Sequence, residues 1–457
     1  MTVDVMAIAT VTATTPRVAK TILGRGVKIL SPERILMPYE HVAFKIDCDE
    51  FIIVFIPTLK RVFRIKKELV DAIPDRIFAD TPPPTSQLNN LPDYMFCGTN
   101  LMCTNHCNLA CIYCYGECSP KKEVTMTKGV AIAAVDYALN CTTRIGRKLA
   151  YANFFGGEPT QVWDLITVVS KHMRENAAKL GLRSRLTITT NGCMDRKQAH
   201  WLAENLDSIN ISIDGPKDIQ DLQRSMSFDR VFATAQEIYK IAPQKLRFRA
   251  TVSAFSVHSF SRIVDFLGIN FPGCPQMYEP LFAMGRAKKL VQAMPDMDVF
   301  FAAFLAALPI ATKHNCRLKT SVLNLTSKSQ EFFCGVASRN FMITPYGEVV
   351  ACNRMADRDV NIAADAFIYG RYDNSQGRFV FDDVRYQHLK TFTVSSIPSC
   401  NMCFARSSCK GDCIANKAAI HPENFQTEQS YRCQAVQQFV KNVLIYITDH
   451  GNNYLLA

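Results

Sequence analysis

The sequence Cys107-Asn-Leu-Ala-Cys111-Ile-Tyr-Cys114-Tyr115 decides how the rest of the chain is interpreted. Its cysteines, with CxxxCxxC spacing, directly follow the apolar segment Phe96–Cys103, which is typical of a strand. Three thiolates from one loop can bind three irons of a cubane cluster and leave the fourth iron open. Zinc usually requires four ligands, often as two CxxC pairs, and ordinary buried cysteines are a further alternative. The spacing therefore favours an iron–sulfur cluster.

Outward from this loop, strand-like and helix-like segments alternate. The strand-like segments are Phe96–Cys103, Leu149–Phe155, Arg185–Thr190, Ser208–Ile213, Leu246–Ser253 and Gln276–Phe282. The helical segments between them are Thr127–Asn140, Gln161–Leu180, Asp195–Asn205, Phe228–Ile241 and His258–Leu267. This alternation predicts an α/β fold, a partial (β/α)6 barrel with a parallel sheet and outer helices. The chemistry of such barrels lies on the loops after the strands, where the three cysteines fall.

Polar motifs also follow the next predicted strands. The turn Gly156-Gly157-Glu158-Pro159 comes after the second strand, where glycines allow close backbone approach to a ligand and a carboxylate can accept hydrogen bonds from an ammonium group. Asn191 ends the third strand, within Thr-Asn-Gly. The fourth strand ends in Ser212-Ile-Asp214-Gly-Pro, with Arg224 ten residues after the aspartate.

Together, in this order, these motifs resemble the signature of the radical S-adenosylmethionine (radical SAM) enzymes over residues 97–310. The resemblance implies that Cys107, Cys111 and Cys114 hold a [4Fe-4S] cluster. In that family the cofactor's methionine amino and carboxylate groups take the open iron. One electron then cleaves the sulfonium and releases a 5′-deoxyadenosyl radical, so the cofactor carries the difficult chemistry.

The resemblance also implies a set of cofactor-binding residues. They are Tyr113, Gly156, Gly157, Glu158, Pro159, Asn191, Ser212, Asp214, Arg224 and Leu281. Tyr113 and Leu281 would lie at the adenine, Ser212 and Asp214 near the ribose, and the glycine turn at the methionine amino group. Arg224 would pair with the methionine carboxylate, since a guanidinium binds carboxylates bidentately; a solvated helix residue is the alternative.

A second group of cysteines follows, with a spacing that resembles the SPASM extension of this family. These are Cys334, Cys352, Cys400, Cys403, Cys409, Cys413 and Cys433. The resemblance implies two auxiliary [4Fe-4S] clusters: an outer one on Cys400, Cys403, Cys409 and Cys433, and an inner one on Cys334, Cys352 and Cys413. The inner set lacks a fourth ligand, for which Cys316 or an open iron are the alternatives. A zinc ribbon is the other interpretation of the pattern.

Toward the N-terminus, Val42–Ile46, Phe51–Ile56 and Arg61–Ile65 are typical of short strands, and Lys66–Ile73 of a helix. This order resembles the modules that bind the leader of ribosomal peptide precursors, and a structural cap is the alternative. A proline-rich linker follows at 81–85. The expected domains are 1–92, the barrel 93–310, a connector 311–333 and the auxiliary-cluster domain 334–457.

Composition limits the partners. With 48% hydrophobic and 20% charged residues, the 457-residue chain is typical of a globular protein, and its longest apolar run is too short to span a bilayer. The absence of a secretory signal predicts a cytoplasmic protein, in which eighteen cysteines indicate metal rather than disulfides. The net charge of +11 predicts an acidic partner. No basic stripe with interleaved aromatics is present, which favours an acidic peptide over nucleic acid.

The predicted function is that of a radical SAM oxidoreductase acting on a ribosomally made precursor peptide with an acidic leader. Hydrogen abstraction from one residue would lead to a carbon–carbon or thioether crosslink. The alternatives are residue excision, epimerisation, formylglycine formation on a sulfatase, or an iron–sulfur electron-transfer protein. The expected cofactors are S-adenosylmethionine and three [4Fe-4S] clusters, reduced by a donor such as flavodoxin or ferredoxin.

One residue argues against formylglycine formation. In sulfatase-activating relatives an aspartate directly follows the second inner-cluster cysteine and is the proposed base. Here Asn353 follows Cys352, and an amide has no accessible basic form. Asp357 is close in sequence but is not expected to occupy an equivalent position.

Overall fold

The computed structural model describes residues 34–36, 42–56, 61–67, 92–290, 293–323, 331–336 and 340–450. The predicted proline-rich linker and most of the predicted helix Lys66–Ile73 lie outside these residues. The expected boundary near residue 92 has its N-terminal side outside them as well.

An antiparallel sheet of four strands forms the N-terminal part. Its strands, in spatial order, are β1 (Arg34–Leu36), β2 (Val42–Asp47), β3 (Phe51–Ile56) and β4 (Arg61–Lys66). Residues 52–56 of β3 are buried, which agrees with their apolar sequence. The sheet packs on the C-terminal helix, where Lys441 Nζ donates to the backbone oxygen of Asp47 at 2.6 Å and Arg64 pairs with Asp449.

The predicted partial barrel is confirmed: seven parallel strands lie side by side. They are β5 (Gly98–Met102), β6 (Leu149–Phe155), β7 (Arg183–Thr190), β8 (Ser208–Ser212), β9 (Leu246–Val252), β10 (Gln276–Pro280) and β11 (Leu318–Lys319). The helices that accompany them are α1 (Lys128–Arg144), α2 (Trp163–Lys179), α3 (Arg196–Asn205), α4 (Lys217–Gln223), α5 (Phe228–Ile241), α6 (Phe260–Asn270), α7 (Met297–Ala306) and α8 (Leu308–Lys313).

The strands alternate between a buried face and a second face that surrounds the interior of the barrel. In β9, Leu246, Phe248, Ala250 and Val252 are buried. Arg247, Arg249 and Thr251 lie on the opposite face, because successive strand residues point to opposite sides. Helix starts are fixed locally: the Asp195 side chain accepts from Gln198 N at 2.8 Å in a capping box at the start of α3.

The C-terminal part continues the barrel sheet. Its strands are β12 (Met342–Ile343), β13 (Glu348–Val350), β14 (Ile368–Asp373) and β15 (Arg378–Phe381), and its helices are α9 (Asp383–Lys390), α10 (Arg406–Cys409), α11 (Ile414–Ile420) and α12 (Cys433–His450). β12 pairs in parallel with β5, which gives one sheet of eleven strands in the order β11-β10-β9-β8-β7-β6-β5-β12-β13-β14-β15. The junction is held by stacked rings, with Phe96 and Phe341 centroids 5.1 Å apart. A sequence pattern cannot predict so short a strand as β12.

No helix within the described ranges is both long and apolar enough to cross a membrane.

Candidate active site

The cysteine loop (residues 103–127) connects β5 to α1 at the C-terminal end of the parallel strands. Backbone hydrogen bonds shape it, from Cys114 N to Cys111 O at 3.2 Å and from Cys107 N to Ser119 O at 3.2 Å. Cys107 is buried, while Cys111 and Cys114 are partly exposed. All eighteen cysteines of the chain are free thiols.

The loop thiols differ in acidity. Burial raises the pKa of Cys107 to about 12 and that of Cys111 to about 11. A hydrogen bond from the Cys118 thiol lowers the pKa of Cys114 to about 6. Cys107 and Cys111 therefore lose protons when they bind a metal. In the described part of the chain, no three Cys, His or acidic side chains are close enough for one ion; a four-iron cluster requires a wider spacing of its ligands.

The glycine turn after β6 lies against the cysteine loop. Gly157 N donates to Thr104 O at 2.7 Å. A Cβ on Gly156, whose φ is +135°, would lie 2.5 Å from Thr104 O, and one on Gly157 would lie 2.2 Å from His106 O. The two glycines were expected to let the backbone approach a ligand. The structure gives them a second role, since they allow two backbone segments of the site to meet.

The carboxylate of Glu158 accepts hydrogen bonds from neighbouring residues of this chain. It accepts from Thr160 N at 3.1 Å, Thr160 Oγ1 at 2.7 Å, Thr190 Oγ1 at 2.6 Å and Asn191 N at 2.6 Å. Burial raises its pKa, and these donors oppose that effect. The side chain joins the ends of β6 and β7. Pro159 is also buried and begins a helical turn.

Asp214, which follows β8, is fully buried and likewise satisfied by the protein. Its Oδ2 accepts from Tyr113 Oη at 2.5 Å and Gln223 Nε2 at 2.8 Å, and its Oδ1 accepts from Thr251 N at 2.9 Å. Arg224 Nε lies 3.0 Å from Oδ2, at ion-pair distance but without the alignment of a hydrogen bond. Asp214 therefore fixes Tyr113 and Arg224, which face the cavity described next.

One cavity of about 590 Å³ opens at the C-terminal end of the strands. Its wall includes the following residues that the sequence singled out: Cys107, Cys111, Tyr113, Cys114, Gly156, Gly157, Asn191, Ser212, Arg224, Leu281 and Cys413. Glu158, Pro159 and Asp214 are not among its lining residues. Asn191 Nδ2 donates to Asn108 Oδ1 at 2.7 Å and lies 3.6 Å from Cys107 Sγ. Leu281 packs with Tyr113 in a small apolar cluster.

Two sets of C-terminal thiols are brought together. The first is Cys400, Cys403, Cys409 and Cys433, where Cys433 raises the pKa of Cys400 and of Cys403 in addition to the larger effect of burial. The second is Cys334, Cys352 and Cys413, where burial and then the Cys413 thiol raise the pKa of Cys352 to about 11. These sets are the outer and inner groups expected from the sequence.

Cys316 does not join the inner set. Its Sγ lies 3.5 Å from His314 O and 3.9 Å from Phe271 O, beside Cys274. It precedes β11 at one edge of the barrel sheet, whereas Cys352 follows β13, beyond the opposite edge strand of the barrel. The suggestion that Cys316 supplies a fourth ligand to the inner set is therefore wrong.

An asparagine links the two cysteine regions. Asn353 Nδ2 donates to Tyr115 Oη at 2.7 Å. The next residue, Arg354, lies 3.7 Å from Cys413 Sγ and donates to Asn416 Oδ1 at 2.6 Å. Asp357 also lines the cavity and lies 3.7 Å from Lys122 Nζ. The sequence did not predict that this carboxylate would reach the cavity wall.

Sequence reasoning missed Arg286, which follows β10. Its guanidinium donates to the backbone oxygen of Cys111 and, at 2.8 Å, to that of Cys118. Its backbone N donates to Cys114 O at 3.1 Å. Gly285, with a φ of +56°, allows this approach, because a Cβ would lie 2.3 Å from Tyr115 O. The available signal was a glycine–arginine pair five residues after the end of a barrel strand.

The donor set fits the groups that the sequence implied. Three thiols of one loop line the cavity, and the guanidinium of Arg224 lies beside them, with Nη1 4.0 Å from Cys111 Sγ. Its Nε faces Asp214, and the other donors of the guanidinium are suited to an anionic group such as a carboxylate. The fold and the site together define a (β/α) half-barrel with three thiols on the loop after its first strand and an attached cysteine-rich segment.

Comparison with known proteins supports this description of the fold and the site. Residues 101–247 match the model of the radical SAM superfamily. The uncharacterised protein MJ0907 of Methanocaldococcus jannaschii is 32% identical over 269 residues, which cover 83% of that protein and 55% of this chain. The chain belongs to the radical SAM superfamily.

More distant relatives extend into the C-terminal part. A cysteine-type anaerobic sulfatase-maturating enzyme of Clostridium perfringens is 22% identical over 375 residues, 76% of this chain and 96% of that protein. Its structure with bound AdoMet and a Cp18Cys peptide has a TM-score of 0.61 at 18% identity, covering 77% of this chain and 99% of that one. SuiB of Streptococcus suis, bound to its precursor peptide SuiA, has a TM-score of 0.55 at 15% identity, covering 74% and 76%. These likenesses support the fold.

Proposed function

We propose that this chain is a peptide-modifying radical SAM enzyme that abstracts a hydrogen atom from a residue of a ribosomally made precursor, leading to a carbon–carbon or thioether crosslink. One observation carries the proposal: a single cavity is bounded both by the cysteine loop and by Cys413 of the inner cysteine set. A substrate in that cavity would lie between the two cysteine regions. Residue excision and epimerisation begin with the same abstraction and are the alternatives.

The side chains divide the work. Cys107, Cys111 and Cys114 would hold the radical-generating cluster, and the guanidinium of Arg224 would receive the methionine carboxylate of the cofactor. When bound, the cluster and S-adenosylmethionine supply a hydrogen-abstracting radical. Asp214 keeps Arg224 and Tyr113 in position through the contacts described above. Arg286 fixes the cysteine loop through two backbone oxygens.

The outer and inner cysteine sets would each hold an auxiliary cluster. The inner set offers three thiols, so its cluster would keep one iron open to substrate or to a non-cysteine ligand. Arg354, which also lines the cavity, lies 3.7 Å from Cys413 Sγ. A cation at this place is suited to the negative charge that four-iron clusters carry with thiolate ligands.

The first test of the proposed function is iron content and cofactor cleavage. After anaerobic reconstitution we expect about twelve irons per chain, for three cubane clusters. Replacing Cys107, Cys111 and Cys114 with alanine should remove about four irons and all reductive cleavage of S-adenosylmethionine. A triple variant that still cleaves the cofactor would contradict the assignment. Absence of cleavage in the wild-type protein would instead favour an electron-transfer protein.

Formylglycine formation is the second candidate, favoured by the likeness to the sulfatase-maturating enzyme over most of both chains. Against it, the residue after Cys352 is Asn353, whose amide donates to Tyr115 and is not a base. Asp357 on the cavity wall is the carboxylate that could take this role. Mass spectrometry of a sulfatase-type peptide decides between them. We expect no aldehyde; aldehyde formation that is lost in Asp357→Asn would establish the second candidate.

A further inference from the structure

The interior of the barrel carries basic side chains below the cavity. On β9, Arg249 and Thr251 line the cavity. Arg247 lies on the same face, one step closer to the start of the strand, since alternate residues share a face. Its guanidinium donates to Ser208 Oγ at 2.8 Å and to Lys245 O at 3.0 Å.

Neighbouring strands add cations to this face. Lys319 of β11 is in register with Met277 of β10, which is in register with Arg249. Residues in register across parallel strands share a face, so the side chain of Lys319 lies on the same face of the sheet as that of Arg249. Arg317 precedes Lys319 by two residues and continues this line of side chains.

The strand on the other side of β8 contributes one more. Thr189 of β7 lines the cavity, and Arg185 lies on the same face four residues earlier. The charge of Arg185 acts on a residue of β9. Burial, and to a smaller extent repulsion by Arg185, lower the pKa of Arg247. Burial and then the charges of Arg317 and Arg247 lower the pKa of Lys319. These cations are therefore close enough to repel one another.

Their charge is not compensated by neighbouring acids. Within the described ranges, Arg185, Arg249, Arg317 and Lys319 form no ion pair. The carboxylate of Glu279 interacts electrostatically with Arg249 but forms no ion pair with it among the described residues. Both of its oxygens already accept from Ser321, at 2.6 and 2.8 Å. A group of like charges without ion-pair partners is typical of a binding site for the opposite charge.

We infer that Arg185, Arg247, Arg249, Arg317 and Lys319, the inner basic cluster, bind the carboxylates of an acidic segment of the peptide substrate inside the barrel. The identity of the ligand as a peptide rests on the proposed function. The continuity of the cluster with the cavity through Arg249 indicates an acidic segment that enters the cavity.

The strand geometry sets the spacing of such a substrate. Arg247 precedes the last residue of β9, Val252, by five positions, or about 16 Å at the usual rise of a strand. An extended peptide covers that distance with about five residues. The acidic residues should therefore lie about five positions from the residue that is modified.

A binding measurement tests this without any turnover. The probe is a fluorophore-labelled hexaglutamate peptide, and its binding to the anaerobically reconstituted full chain is followed by fluorescence anisotropy. The triple variant Arg185→Gln, Arg247→Gln and Lys319→Gln should bind it about tenfold more weakly. The matched control Lys171→Gln, Lys179→Gln and Lys197→Gln removes the same charge from exposed positions of α2 and α3 and should bind almost normally. Binding should also weaken as salt rises.

Several outcomes would overturn the inference. They are equal binding of hexaglutamine, an equal loss in the control variant, and tighter binding of a hexathymidylate oligonucleotide, which would indicate nucleic acid. Iron content and the thermal midpoint report whether the triple variant folds. If it does not, Lys319→Gln alone, on the edge strand β11, gives the same comparison. Cofactor cleavage is not needed, so failure of this inference is distinguishable from failure of the proposed function.

Discussion

The pair formed by Asp412 and Arg432 is the most buried ion pair among the described residues, and each partner immediately precedes a cysteine of the auxiliary sets. Arg432 Nε donates to Oδ2 at 2.7 Å and Nη2 to Oδ1 at 2.6 Å, and Ser430 adds a third donor. Burial alone would raise the pKa of Asp412, but Arg432 and Ser430 hold it below its ordinary value. The pair therefore joins the backbone before Cys413 to that before Cys433.

Removing one partner of the Asp412–Arg432 ion pair should destabilise the fold. We expect Arg432→Met to lower the free energy of unfolding by about 3 to 5 kcal/mol, because it leaves a buried carboxylate without its cation. Arg262→Met is the control, since Arg262 and Asp218 form an equally bidentate pair at an exposed position; it should cost much less, because solvent screens an exposed ion pair. Urea unfolding of both variants measures the difference. Equal costs would contradict the role assigned to burial.

The acidity of the loop thiols predicts how iron loading depends on pH. The free thiols of Cys107 and Cys111 have a pKa of about 12 and about 11, so they release protons on binding iron at any pH near neutrality. Loading should therefore strengthen as pH rises from about 6.5 to about 8.5 and weaken as it falls. Cys114, with a pKa of about 6, adds to this dependence only at lower pH.

The measurement is the charge-transfer absorption of the cluster during reconstitution at several pH values. Subtracting the signal of the variant that lacks Cys107, Cys111 and Cys114 removes the contribution of the auxiliary sets. A difference signal that does not change with pH would show that the thiols are already ionised in the apoprotein.

At the scale of elements, the site depends on the contact between the end of β6 and the cysteine loop. Gly157→Ala would put a methyl group 2.2 Å from His106 O. That oxygen belongs to the backbone, which cannot move away without a cost in free energy. We expect a loss of about 1 to 3 kcal/mol in unfolding free energy together with a lower iron content of the radical cluster. The shift of residues 104–106 changes the start of the loop that carries Cys107.

Gly129 provides the matched control, since it lies in α1 and a Cβ there meets nothing within 4 Å. Gly129→Ala should stabilise the protein by about 0.5 to 1 kcal/mol, because alanine has the higher helix propensity. Each of the two variants adds a single methyl group to a glycine. If both lost iron equally, the contact with the cysteine loop would not be the cause.

The elements themselves were largely predictable. The sequence placed β6 at Leu149–Phe155, where the structure has it, because alternating apolar residues between helical segments give a strong local pattern. The direction of the Glu158 side chain was not predictable, since it depends on donors from β7. Cys316 was assigned by its distance along the chain, whereas the sheet order places it at the opposite edge of the barrel from the inner set. Local pattern predicts elements; the partners of each side chain depend on the order in which strands pair.

At the scale of the whole molecule, the N-terminal sheet has two possible roles that one deletion separates. We propose that it binds the acidic leader of the precursor, by an added strand or along its basic side chains. Deletion of residues 1–67 should then weaken binding of a full-length precursor relative to its leaderless core peptide, while iron content stays near twelve.

The structural-cap alternative predicts a different result. The sheet packs on α12 through Lys441 and Asp449, and α12 begins at Cys433 of the outer set. If the sheet only supports this helix, deletion should remove about four irons and leave the preference for leader-bearing peptide unchanged. Counting iron and measuring both peptides in the same preparations distinguishes the two roles.

The pairing of β5 with β12 also determines when the site can be completed during synthesis. The ribosome delivers β5 and the cysteine loop early, but the strand that covers the open edge of β5 lies in the last third of the chain. Until then the nascent protein has an unpaired strand edge directly before its reactive thiols, which is a hazard for aggregation. Iron delivered before translation ends would encounter the cysteine loop before the Asn353–Tyr115 hydrogen bond can form. Cluster insertion should therefore follow completion of the chain, and iron supplied before that point would not reach a finished site.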